Sequence, residues 1–232
     1  MSERFFLEQP PIGDEVTFAE AESQHLAKVM RAQIGDVVVG FDGSGSEYQI
    51  ELTSVGKKKV IGSVRQKEEV SREAARKLTL AVALPKGDRQ RWLVEKGVEL
   101  GVNRMIPLIT ERGVAQPVEK AIERLRRAVI EASKQCERNH LMTVEEGQTL
   151  DDVLAAKPTC ALVLHPSGEP VNLEVVQKVD EVLALIGPEG GFSDAEVAKA
   201  AEAGCHVVSL GKRILRVETA ALAIASLTTL SE

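Results

Sequence analysis

No stretch of this sequence approaches the roughly 20 consecutive apolar residues that a membrane-spanning helix needs. Runs such as Leu80–Leu84 and Val182–Ile186 are short and bounded by charge, glycine or proline. The opening residues Met1-Ser2-Glu3-Arg4 lack the basic-then-apolar order of a signal peptide, so a cytoplasmic protein is expected. Cysteine is equally scarce. Cys136, Cys160 and Cys205 form no CxxC pair and leave an odd one out, which argues against a disulfide framework or a zinc knuckle. Cys205 and His206 are adjacent in a predicted strand, where neighbouring side chains point to opposite faces, so they do not share a metal easily. No metal is expected. Positive charge is also in deficit: a net charge of -6 and a pI near 5.4 exclude a protein that coats nucleic acid without specificity. Any nucleic-acid site must be local.

What is present is a chain of 232 residues, 44% hydrophobic, enough to fill the core of one large domain or of a small domain and a medium one. Basic residues gather at Lys57-Lys58-Lys59, at Lys86, Arg89 and Arg91, and at Arg124, Arg126 and Arg127. A solvated surface explains each cluster taken alone. Arg4 to Leu7, Asp36 to Phe41, Glu47 to Val55 and Lys59 to Gln66 carry β-rich patterns separated by glycine turns such as Asp42-Gly43-Ser44-Gly45. These predict a small barrel. Within it, Glu20 to Arg31 repeats Leu26, Val29 and Met30 at helical spacing before the break at Gly35-Asp36.

Lys67 to Arg76 is charged and nearly free of large apolar residues, as a linker or connecting helix would be. After it, strand and helix patterns alternate: Leu78–Leu84, Arg89–Leu100, Met105–Ile109, Val118–Arg138, Cys160–Leu164, Val171–Lys178, Val182–Ile186, Asp194–Ala203, His206–Leu210 and Val217–Leu230. Such alternation predicts a parallel sheet covered by helices. In open parallel sheets, ligands collect beyond the carboxyl ends of the strands. Three segments are expected there: Leu164 to Gly168, Gly187 to Gly191, and Leu210 to Arg216.

The Gly187-Pro188-Glu189-Gly190-Gly191 segment combines a proline of fixed φ with glycines that permit close backbone approach. It lacks the Gly-Lys-Ser/Thr of a Walker loop. Taken alone, the segment is better explained as a strand-to-helix turn capped by Ser193, with Glu196 completing a capping box, a reading compatible with ligand binding. Arg216-Val217-Glu218-Thr219-Ala220 opens a helix of small apolar residues suited to burial, within the chain or against a partner subunit. The plain reading is that Glu218 and Thr219 satisfy its first-turn amides; a positive helix terminus beside Arg216 would also stabilise developing negative charge.

Two stretches carry a resemblance. Leu185-Ile186-Gly187-Pro188-Glu189-Gly190-Gly191-Phe192-Ser193 and Leu210-Gly211-Lys212-Arg213-Ile214-Leu215-Arg216-Val217-Glu218-Thr219-Ala220, in this order, resemble the signatures of the ribosomal RNA small-subunit methyltransferase E family. Lys86-Gly87-Asp88-Arg89, Lys96, Glu99-Leu100-Gly101-Val102, Thr110-Glu111-Arg112, Gln135 and Arg138 resemble further family segments. His25, Val29, Arg31 and Gly35-Asp36 resemble its N-terminal one. Gly97-Val98, Cys136 and Met142 depart from it.

The resemblance implies an α/β fold: a SPOUT-type parallel sheet with a C-terminal trefoil knot over residues 71–232, preceded by a small PUA-like β-barrel over residues 1–70. It implies a homodimer that transfers methyl from S-adenosyl-L-methionine to N3 of a uridine in 16S ribosomal RNA, free or in the small ribosomal subunit. Methylation of a ribose hydroxyl or another base, and RNA binding without catalysis, are the rival readings. Cofactor contacts are expected from Leu164, His165, Gly187, Pro188, Glu189, Gly190, Gly191, Leu210, Gly211, Ile214, Leu215 and Thr219. Arg216 is the candidate for stabilising the anionic base, with Glu189 and Glu218 as proton acceptors. RNA contacts are expected from Arg31, Lys86, Arg89, Arg112 and Arg138, since cations, and the guanidinium fork above all, suit phosphate.

Overall fold

The computed structural model describes residues 4–114 and 117–230. The chain divides into two compact units, one made of the chain up to Glu73 together with Ser133–Leu141, the other of Ala74–Ala132 and Met142 onward.

In the first unit, β1 (Arg4–Phe6), β2 (Glu15–Thr17), β3 (Val37–Phe41), β4 (Ser46–Val55) and β5 (Val60–Glu69) form one sheet in the order β1-β3-β4-β5-β2. Only the β1–β3 pairing is parallel. The register of β4 against β5 shifts twice, near Gln49 and near Thr53, and such bulges bend and twist a strand pair. The sheet therefore curls around Phe5, Phe18, Leu26, Ile50, Leu52 and Val60. Gly40 and Gly62 leave room for Ile50, because a Cβ on either would collide with its methyl groups.

The expected helix is split. Helix α1 (Glu20–Gln24) passes into a π-helical turn at His25–Met30 that ends on Arg31 in the left-handed region, φ 55°. The wide turn breaks the 3.6-residue repeat, so Leu26 is buried while Val29 is turned out to solvent. Strand β5 also runs through Glu69, into the segment expected to be a linker.

Ser133–Leu141 is tied into this unit by ionic contacts. Glu47 accepts hydrogen bonds from Arg4 at 2.7 Å, Arg72 at 3.2 Å and Asn139 at 3.2 Å, while Asn139 also donates to the Val70 carbonyl at 2.9 Å. The Arg4 guanidinium lies over the Phe41 ring at 5.1 Å. Arg138, whose side chain is 4% exposed, grips Glu73 with Nε and Nη2.

The second unit contains β6 (Lys77–Val82), α2 (Arg89–Glu99), β7 (Arg104–Ile109), α3 (Glu119–Cys136, its last turn in the first unit), β8 (Thr143–Val144), β9 (Gln148–Thr149) and α4 (Leu150–Ala155). It continues with β10 (Ala161–Pro170), α5 (Leu173–Gln177), β11 (Glu181–Ile186), α6 (Asp194–Glu202), β12 (His206–Ser209) and α7 (Val217–Thr229). Its sheet is parallel throughout, in the order β12-β10-β11-β6-β7-β8, with β9 also on β7. Strands buried on both faces are continuously apolar, as Leu78–Val82 and Val182–Ile186 are. The capping box anticipated at α6 is present: Ser193 Oγ accepts from the Glu196 amide, and Glu196 Oε2 accepts from the Ser193 amide. Cys160 and Cys205 are buried thiols whose pKa burial pushes up, which suits packing rather than reactivity.

The pair between buried Arg138 and half-buried Glu73 is expected to be costly to break. Arg138→Met should destabilise the protein by about 3–5 kcal/mol in urea unfolding, and combining it with Glu73→Leu should recover most of the loss. Acid should act through Glu47. Burial pushes its carboxyl up, but the hydrogen bonds from Arg4, Asn139 and Arg72 outweigh this and hold it below the ordinary range. A depressed carboxylate contributes stability above its unfolded pKa and loses it as pH falls through the folded value. Glu47→Gln should therefore flatten the fall in urea midpoint at acid pH.

Candidate functional site

Register brings three loops together. Leu164 pairs with Ile186 on one side and Val208 on the other, and Ile186 pairs with Val82, so the point where β10 leaves β11 stands nearly level with the ends of β11, β12 and β6. Beyond their carboxyl ends lies a cavity of about 320 Å³.

The first wall differs from expectation. Leu164, His165 and Pro166 line the cavity, but the segment through Gly168 is an irregularity inside β10, which resumes its pairing with β12 at Glu169. Gly168 crosses so close that a Cβ there would stand 2.6 Å from the Val208 backbone. His165 Nδ1 lies 2.8 Å from Ser167 Oγ.

Gly187 to Phe192 form the second wall. The Gly191 amide donates to the Pro188 carbonyl at 2.8 Å, and Gly191 has φ 69°, a turn that favours glycine. This loop is braced from the end of β7. Arg112 Nη1 donates to the Gly190 carbonyl at 3.1 Å and to the Phe192 carbonyl at 3.4 Å, while the Glu111 amide donates to Glu196 Oε1 at 2.9 Å. Arg112, expected to contact RNA, thus lines the cavity and spends one of its nitrogens on the glycine loop.

Leu210, Gly211, Arg213, Ile214 and Leu215 supply the third wall, with Val217 and Ala220 behind them. Ile214 is 88% exposed, an unburied apolar surface at the cavity. Of the expected cofactor contacts, all but Thr219 line the cavity; Thr219 lies on the exposed side of the first turn of α7, where its neighbour Ala220 takes the place. Pro166, Ile186, Phe192, Asp194, Arg213, Val217 and Ala220 line the cavity without having been expected as cofactor contacts; all but Pro166 and Asp194 lie within the two signature stretches. Arg216 precedes α7 and is exposed.

Glu218 is buried in the first turn of α7 and outside the cavity lining, whereas Glu189 lines it. Neither Glu218 nor Thr219 caps the helix as expected. Arg89, the first residue of α2, joins the two carboxylates: Nη2 is 3.0 Å from Glu189 Oε1 and Nη1 is 3.5 Å from Glu218 Oε1. Arg138 is a correction to the expected RNA contacts, because its buried guanidinium is committed to Glu73. Arg31 and Lys86 are exposed and make no ion pair among the described residues. Among those residues, no group of three or more His, Cys, Asp or Glu could hold a metal ion, and no helix is long and apolar enough to cross a membrane.

Comparison with known proteins matches residues 72–229 to the RNA methyltransferase domain family and residues 18–65 to the RNA methyltransferase PUA domain. The ribosomal RNA small subunit methyltransferase E of Bacillus subtilis is 32% identical over 238 residues, covering 95% of this chain and 93% of that protein. That of Synechocystis is 32% identical over 94% of this chain and 74% of its own length. A crystal structure of the Neisseria gonorrhoeae enzyme bound to S-adenosyl methionine superposes with a TM-score of 0.89 at 29% identity, over 97% of this chain and 96% of that one. With the signature loops gathered around one cavity and the likeness running through both units, the chain belongs to the ribosomal RNA small subunit methyltransferase E family.

Proposed function

We propose that this protein methylates small-subunit ribosomal RNA at N3 of a uridine, using S-adenosyl-L-methionine held in the cavity at the carboxyl edge of the parallel sheet. The observation that carries the reading is the convergence of the Leu164–Pro166, Gly187–Phe192 and Leu210–Leu215 segments on that cavity in a member of this family. The cavity suits the cofactor: glycine backbone groups offer hydrogen bonds to a heterocycle's edges, and Leu164, Leu210, Ile214 and Leu215 offer apolar surface to its faces. When bound, the cofactor supplies an electrophilic methyl on a sulfonium, so nothing is required of the protein but alignment and proton management.

The residues divide that work. The loop from Gly187 to Gly191, braced by Arg112, positions the cofactor. Exposed Arg216, at the N-terminal end of α7, stabilises the anionic uracil left when N3 loses its proton. Glu189 at the cavity wall or Glu218 behind it accepts that proton. As the N3–carbon bond forms, the carbon–sulfur bond breaks and neutral S-adenosylhomocysteine leaves. Arg31 in the first unit and Lys86 in the second hold RNA phosphate, and the first unit acts as the PUA-like RNA-binding domain. Residues 71–232 provide the SPOUT domain with its C-terminal trefoil knot, and the protein works as a cytoplasmic homodimer.

Methyl transfer to purified small subunits and to naked RNA, followed by nucleoside analysis, tests the reading; 3-methyluridine is expected, and ribose methylation without it would overturn it. Arg216→Ala should lower turnover by a factor of about 100 to 1,000 and leave the cofactor dissociation constant unchanged. Gly190→Val should do the reverse. A Cβ at that position already stands 3.5 Å from Arg112 Cβ, so branched methyls crowd the brace and the cavity, and calorimetry should show weakened cofactor binding in a folded protein.

A further inference from the structure

The contacts of Arg89 are unequal in a way that burial does not favour. Its shorter contact, 3.0 Å, goes to Glu189, whose side chain is 42% exposed, while the longer one, 3.5 Å, goes to Glu218, only 9% exposed. Charges attract more strongly where water is excluded, and an unmatched buried carboxylate is costly. Yet Glu218 Oε2 is buried without a hydrogen bond among the described residues. One cation is divided between two anions, and the anion that would gain more from it holds it less closely. Glu189 and Glu218 compete for one guanidinium, which does not close on Glu218 as a two-pronged fork.

We propose that Arg89 is an exchangeable counter-ion, and that the charge of the ligand in the cavity sets its division between Glu189 and Glu218. A cationic ligand competes for Glu189 and drives the guanidinium onto Glu218, satisfying Oε2; a neutral ligand does not. The inference rests on the methyltransferase reading, in which substrate cofactor and product differ at this point: S-adenosylmethionine carries a sulfonium, S-adenosylhomocysteine a neutral thioether. Arg89 is then a positioning residue that lets the site tell cofactor from spent product, though it touches neither.

Calorimetric dissociation constants for the two ligands on the full-length protein test this, with the ratio of affinities, cofactor over product, as the readout. Glu189→Gln should lower the ratio by about fivefold, the upper range for a partly exposed charge pair. Glu218→Gln should lower it too, although Glu218 is not in the cavity wall, because Arg89 is left to Glu189. Arg89→Gln should raise the ratio, and Arg89→Lys, which retains the charge, should stay near the wild-type value. Opposite signs for the two partners of one ion pair are not what a general loss of structure produces. If Arg89→Gln does not fold, the Glu218→Gln and Arg89→Lys ratios decide the matter. Equal weakening of both ligands, or an unchanged ratio in Glu218→Gln, would overturn the proposal while leaving the methyltransferase reading intact. A wild-type protein that binds neither ligand would overturn both.

Discussion

The parallel register of β10, β11, β12 and β6 is the constraint on which the site depends. Because Leu164, Ile186, Val208 and Val82 stand level across adjacent strands, chain segments that are far apart in sequence leave the sheet at one edge. The strands are packed through side chains buried on both faces, and a slip of any one strand would carry its loop out of line with the others. The cavity is therefore a property of the sheet before it is a property of any loop. Gly168 shows how closely the two are joined, since β10 must pass against the backbone of β12 beside the cavity wall.

Much of this was legible because it is local. The apolar runs of β6, β10 and β11, the long amphipathic repeat of α3 and the Ser193–Glu196 capping box are all patterns within a few residues. Strands β8 and β9 are two residues each, too short to show any period, and were missed with α4. The π-helical turn at His25 was hidden because an inserted residue leaves no mark in composition. The three cavity segments were legible from their place at the ends of parallel strands, and most of their individual residues as parts of the signature stretches; Thr219 shows the limit, because neighbours in a motif need not share a helix face.

The arginines were the hardest residues to read. A guanidinium advertises affinity for phosphate and for carboxylate alike, and the choice depends on partners remote in the chain. Arg138 finds Glu73, 65 positions away, and Arg89 finds Glu218, 129 positions away. Arg112 donates instead to two carbonyl oxygens of the glycine loop and pairs with no carboxylate among the described residues. An abundance of basic side chains thus overstates the surface left for RNA, in keeping with a chain of net negative charge.

The composition of the first unit from two separate stretches bears on how such a protein can be inherited. Asn139 and Arg138 reach Arg4, Glu47, Val70 and Glu73 from the far end of α3, so the sheet and its ionic girdle are not encoded by one uninterrupted run of codons. A recombination event that excised the segment up to Glu73 would deliver the Glu73 carboxylate without its guanidinium, and would leave the buried Arg138 guanidinium behind. The small unit is no transferable cassette. Its two stretches are separated in the chain by Ala74–Ala132, which belongs to the other unit.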